Sequence, residues 1–154
     1  EEVIESCIKS AVKAANSLGI KPVSFEAPFN MIEDVNEPEK VFNALKKNGI
    51  KITAYVGKDD KFKILRHYDI KPISKRFGVK CVHISNYFEG TNKADHVKAI
   101  LQEIKKNLNK NVVYCLATHD FTWKKTKNLV FIIEEVLKLK KRGLLEIKKF
   151  SDFV

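Results

Sequence analysis

Apolar residues recur along the chain with two alternating periods, and the switches between those periods lay out the elements. Ile4, Ile8, Ala11, Ala15 and Leu18 repeat at three- and four-residue spacing, which predicts a helix over residues 3–18 with Gly19 as its stop. Residues 22–26 then run extended into the loop Ala27-Pro28-Phe29-Asn30. Asn36-Glu37-Pro38 sets a capping residue ahead of a first-turn proline. It opens a second helix with Val41, Phe42 and Leu45 as the inward stripe and Gly49 as the end. Ile50, Ile52, Ala54 and Val56 alternate with period two, as a strand does. A short helix is expected over residues 71–78 and a strand over 79–84. Residues 93–108 repeat as a longer helix with Val97, Ile100, Leu101, Ile104 and Leu108 inward. Residues 112–117 are nearly all apolar, the pattern of a strand buried on both faces of a parallel sheet. A last helix over residues 126–142 stops at Gly143, and residues 144–147 read as a closing strand.

Helices and strands therefore alternate from end to end. That order implies right-handed crossovers and an α/β fold class, with parallel βα units in a sheet or barrel. No repeat, Gly/Ser linker or shift of composition divides the chain, which reads as a single domain over residues 1–154. A closed α/β barrel takes ~200–250 residues, so five strands in 154 residues fall short of closure. There is no initiating methionine, the one methionine being Met31. The chain is expected to be a portion of a longer polypeptide.

Composition narrows the classes further. At 44% hydrophobic and 31% charged residues, the chain can bury a core. The apolar run of residues 112–117 is far shorter than the roughly 20 residues of a membrane-spanning helix. The acidic start Glu1-Glu2 is unlike a signal peptide. The 29 basic residues against 19 acidic give a formal charge of +10, which can steer a protein towards a polyanion. Yet only Arg66, Arg76 and Arg142 are arginines, whereas nucleic-acid surfaces favour arginine and interleaved aromatics. Lysines such as Lys105-Lys106 and Lys138, Lys140 and Lys141 fall on helix faces, as in a solvated surface. Cys7, Cys81 and Cys115 lack metal-ligand spacing and sit in apolar segments, so buried free thiols are expected, a weak pointer to a reducing compartment.

In parallel α/β folds the reactive groups gather at the carboxyl ends of strands, which selects three stretches. In Phe25-Glu26-Ala27-Pro28-Phe29-Asn30, Glu26 can act as a charge partner, and the turn at Pro28 can aim a backbone N–H at an oxyanion. The alternative is an ordinary βα loop shaped by its proline. In Leu116-Ala117-Thr118-His119-Asp120-Phe121-Thr122-Trp123, a histidine leaves an apolar strand beside an acid. That is a favourable place for a general acid, with Phe121 and Trp123 as an apolar wall or sugar platform. The alternative is a histidine that caps the next helix and a tryptophan of the core. In Val82-His83-Ile84, His83 points opposite to its neighbours and reads as structural. His67 and His96 lie in polar surroundings and read as surface residues. No H-x-x-x-H, C-x-x-C, G-x-G-x-x-G or P-loop occurs, so a metal site within this chain would need distant histidines.

Two blocks of sequence carry a family resemblance. The first is Leu18-Gly19-Ile20-Lys21-Pro22 with Ser24-Phe25-Glu26-Ala27-Pro28-Phe29, followed by a helix ending Asn48-Gly49 and a strand. The second runs from Val112 to His119-Asp120, through the helix of residues 129–141, to Arg142-Gly143-Leu144-Leu145-Glu146-Ile147. Together they resemble the polysaccharide deacetylases of the NodB-homology type. The resemblance spans nearly the whole chain, although its motifs are short. It implies a distorted (β/α) barrel that removes acetyl groups from sugars with a divalent metal, zinc being the expected ion. It also assigns roles: the N–H of Phe29 to the oxyanion, Pro28 to the turn, His119 to protonation of the leaving group, and Asp120 and Trp123 to the groove. Glu26 stands where that family carries the arginine that orients its catalytic base, a reversal of charge. The family's paired aspartates and metal-binding histidines belong to motifs that precede the helix with which this chain begins. On this reading the chain holds no metal by itself and alone is inactive, and its expected partner is a carbohydrate. Two rivals follow from the same residues: a non-catalytic carbohydrate-binding relative, which Glu26 favours, and a basic nucleic-acid-binding α/β domain, which rests on the +10 charge.

Overall fold

The protein is described here from a computed structural model covering residues 2–26, 32, 37–55, 70, 72–88, 94–118 and 127–154. Among the described residues there are four α-helices: α1 (Glu2–Ser17), α2 (Pro38–Lys47), α3 (Ala94–Lys106) and α4 (Lys127–Lys141). The strands are β1 (Ser24–Phe25), β2 (Ile52–Tyr55), β3 (Ser74–Arg76), β4 (Val79–Tyr87) and β5 (Cys115–Ala117), and a 3-10 turn at Phe150–Phe153 closes the chain. The result is a mixed α/β fold whose sheet holds parallel and antiparallel strands. It divides into two compact units. One comprises Glu1–Leu65, Ile73–His83 and Lys149–Val154, the other Arg66–Pro72 and Ile84–Lys148, so β4 begins in the first and ends in the second.

In the first unit the strand order is β1-β2-β4-β3. β1, β2 and β4 run parallel, with Phe25 beside Thr53 and Thr53 beside Cys81. The crossover from β1 to β2 carries α2. Pro38 holds the first helical position, where its missing N–H costs nothing. Glu37 occupies the capping position without a side-chain cap bond, and Asn36 lies outside the described residues. After the helix the chain reverses through Gly49 at φ +81°, a conformation that costs a side-chain-bearing residue but not glycine, and the Ile50 N–H reaches back to the Leu45 carbonyl. Val41, Phe42, Ala44 and Leu45 bury the inner face of α2 against Ile8, Ile50, Val79 and Cys81.

On α1 the packed residues are Ile8 with the half-buried Ile4, Val12 and Ala15. The expected stripe through Ala11 and Leu18 is corrected: Ala11 is exposed, and Leu18 lies past the last helical residue with 77% of its surface in solvent. A four-residue repeat from Ile4 selects Val12 rather than Ala11. The same geometry turns Cys7, one residue from Ile8, out to solvent, so the expectation of buried thiols holds for Cys81 alone; Cys115 is half-buried.

The helix expected over residues 71–78 is replaced by an antiparallel hairpin of β3 with β4. So short a helix fails to offset its nucleation cost. The chain instead turns through Phe77 at φ +46° and Gly78 at φ +93°, the pair of positive angles that a two-residue hairpin turn demands. Phenylalanine is unsuited to that angle, and its ring recovers the loss by packing 5.7 Å from the ring of Phe42, which is fully buried. β1 and β3 bound this sheet. Both are short, and Lys75 and Arg76 place charge on the β3 edge, which discourages pairing with another chain.

In the second unit β5 runs parallel to the end of β4, with Ile84 beside Cys115 and Tyr87 beside Ala117. α3 and α4 pack together through Val97, Ile100, Leu101 and Ile104 against Leu129, Ile132 and Leu139, around the fully buried Phe88. β5 is shorter than the predicted strand and only half-buried, not covered on both faces. The closing strand expected at residues 144–147 is also corrected. These residues form no strand ladder, Leu144 and Leu145 lean on the α3–α4 core, and Ile147 is exposed. No helix among the described residues is long and apolar enough to cross a membrane.

Two tests follow. Phe42→Ala should lower the unfolding free energy by about 3–5 kcal/mol, whereas Phe131→Ala, on the exposed side of α4, should change it by no more than about 0.5 kcal/mol; urea unfolding midpoints compare them directly. With an aromatic disulfide reagent, Cys7 should react in the folded protein and Cys81 only on unfolding, and Cys7→Ser should remove the fast phase.

Candidate functional site

The two stretches singled out by the resemblance each leave the end of a parallel strand. β1 ends at Phe25, and Glu26 follows it directly. β5 ends at Ala117, two residues before His119. Of the six candidate residues, Glu26 is among those described, and its side chain is exposed. Pro28, Phe29, His119, Asp120 and Trp123 lie outside the described residues, and so does the loop from Ala27 to Asn30.

Two hydroxyls missed by the sequence reading hold the backbone of these strands, Thr53 at the end of β1 and Ser85 at the start of β5. Thr53, fully buried in β2, donates through Oγ1 to the Phe25 carbonyl at 2.7 Å, fixing the backbone immediately ahead of Glu26. Ser85, 1% exposed in β4, sits where the β4–β5 register shifts between Ile84 and Asn86. Its Oγ accepts the Cys115 N–H at 3.1 Å and donates to the Val113 carbonyl at 3.5 Å, so a side chain supplies the bond that the irregular ladder drops. The signal available in the sequence is a hydroxyl beside apolar residues, in Ile52-Thr53-Ala54 and Ile84-Ser85. A buried hydroxyl needs a partner, and here the partner is the backbone of a strand that leads into a candidate loop.

His83 and His96, the histidines among the described residues, have structural surroundings. His83 shares a hydrogen bond with Ser74 Oγ, its Nε2 at 3.0 Å, which ties β4 to β3. His96, expected on a polar surface, is half-buried and stacks on Phe88 at a ring separation of 6.4 Å; its place in the first turn of α3, beside the buried Val97, brings it over that ring. His67 lies outside the described residues. Among the described residues no group of three or more His, Cys, Asp or Glu side chains is arranged to hold a metal ion.

A cavity of about 310 Å³ opens in the first unit between the carboxyl ends of α1 and α2, lined in part by Asn16, Lys21, Pro22 and Asn48. It lies where β1 begins, at the opposite end of the strand from Glu26.

Ahead of β5, Tyr114 donates its hydroxyl to Glu103 Oε2 at 3.2 Å. Burial raises its pKa well above the usual tyrosine range, and the Glu103 carboxylate adds to the rise, because both oppose a phenolate.

Comparison of the chain with protein-family models, curated proteins and solved structures finds no match.

Ser85→Ala should lower stability by about 1–3 kcal/mol, since it leaves the Cys115 N–H without its partner. Amide exchange at Cys115 should accelerate more than at residues of α1. Tyr114 contributes to the alkaline limb. An unfolded tyrosine ionises near pH ~10, while the folded chain keeps this proton at higher pH. Above that point the unfolded state binds fewer protons, so stability present at neutral pH is lost as pH rises. Tyr114→Phe should flatten this dependence, read as the change in urea midpoint between neutral and alkaline buffer.

Proposed function

We propose that the chain is the carboxyl-terminal part of a polysaccharide deacetylase-like hydrolase, a portion of a distorted (β/α) barrel that removes acetyl groups from a carbohydrate. The observation that carries this reading is the position of its two motifs. Each begins where a parallel strand ends, after Phe25 and after Ala117, the end at which parallel α/β folds assemble reactive groups.

Hydrolysis of an acetamide or ester adds water to the carbonyl carbon and puts negative charge on its oxygen. The intermediate then expels an amine or alcohol that takes up a proton. In this reading the Phe29 N–H, presented by the turn at Pro28, donates to that oxygen. His119 supplies the proton to the leaving group, and Asp120, next to it in the sequence, belongs to the substrate groove. Trp123 offers its ring to a sugar face. A divalent metal, zinc in the family resembled, supplies an activated water in such enzymes. In that family its ligands come from paired aspartates and histidines of two other motifs.

One observation favours a second reading, a barrel relative that binds carbohydrate without cleaving it. Glu26 is exposed and acidic at the position where the family carries an orienting arginine, so a base held there would meet repulsion rather than support.

Acetate release from an N-acetylated chito-oligosaccharide by the full-length polypeptide, with and without zinc, tests both. The hydrolase reading expects zinc-dependent release that falls about 10²–10⁴-fold in His119→Ala with folding intact. Sugar binding without release by the folded, zinc-loaded protein would establish the second reading. Failure to take up zinc would overturn the family assignment.

A further inference from the structure

We draw no further inference here: the strongest candidate, the exposed apolar stripe of Val130, Ile133 and Leu137 along α4, runs the length of that helix in the second unit, and nothing in the structure shows what covers it.

Discussion

Val79, Cys81, Val82 and Ile84 of β4 are all withdrawn from solvent, and because alternate residues of a strand face opposite ways, this strand is covered on both sides. Full burial of a side chain of this size is worth roughly 1.5–3 kcal/mol, so few other segments concentrate as much stabilisation. Val79 and Cys81 complete the cluster into which α1 and α2 settle, and Phe88, the next residue after the strand, centres the cluster of α3 and α4. The first core thus includes residues of β4 itself, and the second includes Phe88, the residue that follows the strand. A strand so deeply covered has little tolerance for polar atoms. The buried polar residues nearest its centre, Thr53 and Ser85, are accommodated because their hydroxyls bond to backbone.

That arrangement explains where a site can form. A parallel strand presents its carboxyl end to the loop that follows, and at β1 the hydroxyl of Thr53 holds the Phe25 carbonyl just ahead of Glu26. Ser85 braces β5 at its other end, through Val113 and Cys115. Loops released from such anchored strands carry chemistry on a rigid base. The proposed roles of Phe29 and His119 rely on that base.

Much of this was legible in the sequence because the signals are strong and local. Periodicity set the inward face of α2, proline marked its start, and glycine marked the ends of α1, α2 and α4. Some of the misreadings come from a tertiary contact that overrides a local rule. Phe77 accepts a left-handed backbone because Phe42 receives its ring, a relation across 35 positions that no window of sequence contains. Residues 144–147 are apolar enough for a strand, yet a strand exists only beside a partner, and Leu144 and Leu145 lie on helices instead while Ile147 is exposed. His96 leaves its polar neighbours for Phe88. For the site, residue types and their order were legible, as was the rule of strand ends. The two anchoring hydroxyls were not, because threonine and serine in a strand are common and their partners are backbone atoms.

Native-state hydrogen exchange at one amide of β4 and one just past it tests the central claim, that the segment from Val79 to Phe88 contributes to both cores. The Lys80 N–H donates to the Lys51 carbonyl in the first unit, and the Phe88 N–H, just past the strand, donates to the Ala117 carbonyl in the second. If that segment is common to both cores, both should exchange only through global unfolding and give the same opening free energy, matching that from urea. Rapid exchange at Phe88 while Lys80 stays protected would contradict the account, because the second core would then open without the strand that the first includes.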